Sequence, residues 1–216
     1  MKKIAIYVEG GGDTAQQRAN IRMGFDELFK VQKQAAQEKR LGWNLVPSGS
    51  RNKTYDKFIW ALDQSGDETL CVLLVDSEDP IVAETKGNPD ENAQIRTRHL
   101  MERDKWELNA VDAHPIHLMV QCMETWIVAD PETLTAFYGQ GFQTKSLPVR
   151  KNLEEEPKQA IYAKLAQATR GTGKGEYAKI NHARQLLAKI DASKVAARCS
   201  HFATFTGWLD EQIKNA

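Results

Sequence analysis

The sequence predicts an α/β fold: a mostly parallel sheet flanked by helices, with a helical C-terminal extension. Three observations carry this. Apolar runs of strand length recur at residues 3–8, around Trp43 to Val46, at 70–75 and near Ile116 to Val120. Amphipathic stretches of helical period lie between the first three, giving the β-α-β-α-β order that an open parallel sheet requires. The six residues between Thr69 and Asp76, LCVLLV, are continuously apolar, as a central strand covered on both faces must be.

Each element has its own signal. In KIAIYV (residues 3–8) four of six residues are β-branched or aromatic, and the run ends at glycines, so it reads as a buried strand. Asp13 and Thr14 supply helix-start chemistry, and Ile21, Phe25, Leu28 and Phe29 recur at helical spacing, which predicts one helix to about Lys39. The strand around Trp43 to Val46 closes in PSGS, and Tyr55, Ile59 and Leu62 mark the next helix. After the third strand, ETKGNPDEN (84–92) reads as a loop before a helix from about Ala93 to Arg103. HPIHLMVQCMETWIVADPETL supplies a fourth strand and then a helix that carries Glu124 and Trp126. Two stripes, Ile180, Ala183, Leu186, Leu187, Ile190 and then Phe202, Phe205, Leu209, Ile213, predict helices toward the C-terminus. The organisation is an α/β domain over residues 1–150 and a helical extension over 151–216 packed on it.

Composition narrows the function classes. No apolar stretch has signal-peptide or membrane-spanning length, which predicts a cytoplasmic protein with no membrane partner. Cys71, Cys122 and Cys199 are far apart and lack CxxC partners, so they read as small core residues rather than as a disulfide framework or a zinc site. The formal net charge is zero but unevenly laid out. Residues 145–189 carry ten Lys or Arg against four acids, about +6, while residues 1–144 carry about −6. That is the layout of a nucleic-acid footprint, and equally of ordinary solvated helix faces.

The chemistry concentrates at strand ends. In a parallel sheet the ligand crevice lies at the carboxyl ends of the strands. Glu9 ends the first strand, and Asp76, Glu78 and Asp79 follow the third. If these strands are neighbours, the acids converge, and their mutual repulsion calls for a divalent cation. A carboxylate-rich site without His or Cys suits Mg²⁺ or Mn²⁺. Gly10, Gly12 and Ala15 also satisfy G-x-G-x-x-A, but Glu9 would place a charge beside a pyrophosphate, and VPSGS offers no acid for a ribose. GTGKGEY fails as a Walker A loop, because Lys174 is followed by Gly175.

Secondary candidates surround these acids. Arg51 and Lys53, in a Gly/Ser-rich turn on the same edge, are candidates to hold a phosphate. Glu124, an acid in an apolar run, needs a partner or a metal. In RGTGKGEYAK, Arg170, Lys174 and Lys179 surround Tyr177 before a helix that starts near Ala178. This loop is expected to fold back to the crevice, with Lys174 and Lys179 guiding nucleic acid. Trp60, Trp106 and Trp126 read as core. His114 and His117 face opposite ways in extended structure and make a poor metal pair. His182 reads as a surface residue.

VEGGGDT resembles the first motif of Toprim domains, a strand followed by Glu, Gly, two variable residues and Asp, and VDSED resembles the second, Asp-x-Asp after a later strand. With SRNKTYDKF, QCMETWIVAD and KGEYAKINHARQLL in that order, the chain resembles a bacterial family of Toprim-like proteins. They are relatives of OLD-type nuclease Toprim domains, some encoded beside AAA or ABC ATPases in defence loci. The resemblance implies Glu9 as general acid/base or metal-linked carboxylate and Asp76 as first metal ligand. Glu78 replaces the usual Asp, which leaves Glu78 or Asp79 as second ligand. It also implies a Mg²⁺-dependent nuclease acting on DNA more than RNA, with a separate ATPase subunit. The alternatives are a non-catalytic adaptor of an ATPase complex and another nucleotide phosphotransfer enzyme. The chain is too short to hold the DNA-gating domain of a topoisomerase.

Overall fold

The computed structural model describes residues 1–85 and 87–216, with Asp67 described for its backbone alone. Strands β1 (Lys3–Val8), β2 (Gly42–Pro47), β3 (Thr69–Asp76) and β4 (Ile116–Met119) form one sheet, all parallel, in the order β2-β1-β3-β4. Helices α1 (Ala15–Leu28) and α2 (Lys30–Glu38) join β1 to β2, α3 (Arg51–Ser65) joins β2 to β3, and α4 (Pro89–Asp104) joins β3 to β4. Then come α5 (Met123–Ile127), α6 (Pro131–Tyr138), α7 (Lys158–Thr169), α8 (Lys179–Leu187), α9 (Ala192–Arg198) and α10 (Ser200–Lys214). The protein is an α/β structure with a Rossmann-like arrangement. Among the described residues no helix is long and apolar enough to cross a membrane.

The chain steps outward from β1 to β2 and then returns across β1 to β3. Right-handed crossovers therefore put α1 and α2 on one face and α3 and α4 on the other. The reversal opens a crevice between the carboxyl ends of β1 and β3. Alternation along the strands matches these layers. Ile4, Ile6, Val8, Val72, Leu74 and Met119 share one core with Phe25, Phe29, Trp126, Phe202 and Phe205. Cys71, Leu73, Val75, Ile116 and Leu118 face the other way, toward Phe58, Leu100 and Trp106.

The C-terminal helices complete the first of these cores. Crossover α4 leaves the opposite face of β4 open, and α10 fills it. The His117 ring of β4 lies 4.8 Å from Phe205 and 4.6 Å from Trp208. Helix α8 packs closely on α1, because a Cβ on Gly24 would come within 2.9 Å of the Arg184 carbonyl. That contact brings the start of α8 to the sheet's carboxyl edge.

Several local expectations change. The helix predicted from Thr14 to Lys39 is two helices meeting at Phe29, which is fully buried and 5.4 Å from the Phe205 ring. Thr14 caps α1 in a capping box with Gln17. Helix α4 starts at Pro89 rather than Ala93, with Asp90 and Glu91 in its first turn where they suit the helix dipole. The predicted 84–92 loop therefore ends early, and its Lys86 lies outside the described residues. Trp106 and Trp126 are core, but Trp60 is 66% exposed, since Thr54, Phe58 and Ala61 take the buried side of α3. Ile180 is 65% exposed rather than part of the buried stripe. His182 is buried, contrary to the surface expectation: its Nδ1 lies 3.1 Å from the Tyr138 hydroxyl and 3.1 Å from the Ala178 N–H. The three cysteines are buried and free.

Candidate metal centre

Val8 pairs with Leu74, so the residues that follow the ends of β1 and β3 are neighbours. Glu9, Asp76 and Glu78 each offer a carboxylate oxygen, and these oxygens lie within 4.8 Å of one another. Glu9 Oε2 accepts the Asp76 N–H at 3.2 Å, and Asp76 Oδ1 accepts the Met123 N–H at 2.9 Å, which fixes two of the three acids to the framework. Glu78 sits at φ 67°, a left-handed conformation that costs a non-glycine residue about 1–2 kcal/mol. Asp79 stands outside the cluster: it is turned to Arg103 Nε at 3.0 Å and its side chain is 64% exposed. Asp13, also exposed, lies 3.7 Å from Lys53.

Cations frame the acids. Arg51 opens α3 rather than lying in a turn, and its Nη1 reaches Glu9 Oε2 at 3.1 Å and the Asp76 carbonyl. Its Nε and Nη2 bind Asp104 at 2.9 and 2.6 Å. Lys158 Nζ donates to Glu78 Oε1 at 2.6 Å and lies 3.9 Å from Asp76 Oδ2. Lys179 Nζ lies 4.0 Å from Asp76 Oδ2 and 3.5 Å from Glu124 Oε1. Among the described residues, Glu9, Asp76, Glu78, Asp79, Asp104 and Glu124 pair with Arg51, Arg103, Lys158 and Lys179.

Burial shows in the acids. Burial pushes the Asp76 carboxyl up to about 7; Glu9 and Glu124 add to the rise, and Lys179 and Lys158 oppose it. Burial raises Glu9 as well, against the pull of Arg51. In metal-free protein the folded state therefore keeps protons that the unfolded chain has released. Stability is expected to fall as pH rises from about 4 through about 7, and to level off above that. Urea titrations across this range in chelator would show the slope, and Asp76→Asn should flatten it. A slope of opposite sign, or one unchanged in the variant, would contradict the assignment.

Glu124 does not join the carboxylate cluster. It is fully buried in α5 and accepts from the Tyr162 hydroxyl at 2.8 Å and the Tyr177 hydroxyl at 3.0 Å. Its Oε1 attracts Lys179 Nζ, 3.5 Å away. Burial, reinforced by the Glu124 charge, raises the pKa of both phenols, so both stay protonated. Of the basic loop only Lys179 reaches the crevice. Lys174 lies 4.9 Å from the centre of the Phe137 ring, and Arg170 pairs with Glu176. Sequence reasoning missed Asp104, Arg103, Lys158 and Tyr162, and named Tyr177 only as the centre of the basic loop. Lys158 and Tyr162, one helical turn apart on α7, carried the one local signal: two polar groups on the same helix face.

A family model described as a domain of unknown function (DUF4276) matches residues 8–210, a span that includes every residue of this site. No curated protein and no solved structure matches the chain.

Proposed function

The chain belongs to the DUF4276 family, and we propose that it is a Mg²⁺- or Mn²⁺-dependent nuclease that hydrolyses nucleic-acid phosphodiesters, DNA in preference to RNA. The observation that carries this reading is the convergence of the Glu9, Asp76 and Glu78 carboxylate oxygens at the crevice, within 4.8 Å of one another. The donor set fits such an ion: all ligands are oxygen and anionic, and none is His or Cys. When bound, the ion supplies neutralisation of phosphoryl charge and acidification of water.

The chain's own residues divide the remaining work. Lys158 and Lys179, about equally far from Asp76, face the phosphoryl oxygens. Arg51, already saturated by Glu9, Asp104 and a carbonyl, orients Glu9 rather than holding a phosphate. Glu9, at the end of β1 beside Asp76, takes or returns the proton of the attacking water or the leaving oxygen. Tyr162 and Tyr177 are bound to Glu124 and stay protonated, which disfavours a tyrosine nucleophile and favours hydrolysis by water. The Toprim resemblance carries the rest of the proposal: an AAA- or ABC-type ATPase partner in defence against invading DNA. Action in the cytoplasm accords with the three free thiols.

The test is incubation with supercoiled plasmid, linear duplex, single-stranded DNA and RNA, with Mg²⁺, Mn²⁺ or chelator. DNA cleavage that chelator abolishes is expected. Absence of cleavage in every combination, with the ATPase included, would overturn the nuclease reading in favour of a non-catalytic adaptor.

A further inference from the structure

We infer that the cavity beside the acid cluster is a subsite for one unpaired nucleobase, so that the strand entering the site is single-stranded or frayed. The inference deepens the nuclease reading, but it rests on a separate part of the molecule. A cavity of about 180 Å³ lies between the triglycine loop after β1 and the first turns of α8. It adjoins the acids through shared residues. Lys179 lines it and reaches Asp76, Met123 lines it and donates its N–H to Asp76, and Gly10 follows Glu9 in the chain. A group seated there places the next phosphate of its strand at the carboxylate cluster.

Its size and walls select the group. The volume falls below the ~300–1,000 Å³ of pockets that enclose whole drug-sized ligands, so it takes one ring system rather than a complete nucleotide. Ile21, Met123 and Ile180 offer carbon, and Arg184, whose Nη1 donates to Asn20 Oδ1 at 3.2 Å, completes the wall beside them. Ile180 is 65% exposed, at the start of a helix whose other stripe residues are buried, and a bound ring would cover it. A phosphate there would lose hydration against those carbons, whereas a base has apolar faces and polar edges.

The loop backbone can read those edges. Gly10, Gly11 and Gly12 all have positive φ, at 113°, 93° and 62°, a run that only glycine sustains. Gly10 is tied to Gly49 through both its N–H and its C=O. The N–H and C=O groups of Gly11 and Gly12 make no hydrogen bond among the described residues, so they are free for a ligand. A base stacked in a duplex cannot enter, so it must be unpaired.

Fluorescence anisotropy in chelator, where cleavage plays no part, tests this. The probes are a short single-stranded DNA, the same strand carrying abasic sites, its duplex, and a free nucleoside monophosphate. The intact strand is expected to bind at least about fivefold more tightly than the abasic one, the lower end for stacking one base. Ile180→Ser, at an exposed position that leaves the fold unchanged, should erase that contrast. Equal binding of intact and abasic strands, an undiminished contrast in Ile180→Ser, or duplex binding as tight as single-strand binding would overturn the subsite. A monophosphate that binds more tightly than the strand would overturn the strand assignment in favour of a nucleotide site. Cleavage without base contrast would remove the subsite and leave the nuclease; base contrast without cleavage would do the reverse.

Discussion

Asp76→Asn and Glu9→Gln are each expected to lower Mg²⁺-dependent cleavage by about 10³-fold or more, equivalent to about 4 kcal/mol of transition-state stabilisation. Asp76 is 3% exposed and lies against both lysines, so no neighbouring acid can take its place. Glu9 is fixed by the Asp76 N–H and Arg51, and its amide replacement can neither ligate an ion strongly nor carry a proton. Asp79→Asn is the contrast. Its carboxylate is exposed and paired with Arg103, so its rate should stay within about twofold of wild type. Initial rates of plasmid nicking would measure all three, with circular dichroism to show that the variants are folded. Equal rates in wild type and Asp76→Asn would place the activity in another centre or in a contaminant.

The largest stability effect is expected at Glu124. Alanine there deletes the acceptor of two tyrosine hydroxyls and the partner of Lys179 at a fully buried position. Breaking a buried charged network by removing one member costs about 3–5 kcal/mol. In a chain of this size each kcal/mol shifts Tm by about 2–4 °C, so Glu124→Ala should melt about 6–20 °C below wild type. Glu124→Gln keeps the volume and one acceptor oxygen but not the attraction on Lys179. It should retain most of the stability and raise KM, a split that separates positioning of Lys179 from mere packing. Differential scanning calorimetry of both variants decides. A loss below about 2 °C for alanine would show that the two tyrosines find other partners.

β1 and β3 were readable as apolar runs bounded by Gly or acid, β2 and β4 as shorter runs broken by one polar residue each, Asn44 and His117, and the ends of β1 and β3 placed Glu9 and Asp76. The break at Phe29 was not readable, since helical periodicity continues through it; Phe29 is set by contacts with Phe202 and Phe205, far along the chain. Ile180 and Trp60 misled for the same reason: period alone does not say which side of a helix meets a neighbour. At the site, the acids came from two short motifs at strand ends, whereas their counter-charges come from distant helices. Arg51 meets Asp104 across 53 residues, and Lys158 meets Glu78 across 80. No local pattern encodes such pairs, which exist only once α4 and α7 are docked. The choice between Glu78 and Asp79 likewise depended on Arg103 drawing Asp79 outward.

Titration with Mn²⁺, followed by electron paramagnetic resonance, tests the central claim most directly, because it reads the ion without requiring turnover. A single Mn²⁺ per chain is expected in wild type and in Asp79→Asn, displaced by Mg²⁺ and lost in both Asp76→Asn and Glu9→Gln. Failure of the folded wild-type protein to bind Mn²⁺ at millimolar concentration, or unchanged binding in Asp76→Asn, would contradict a metal centre built from Glu9, Asp76 and Glu78.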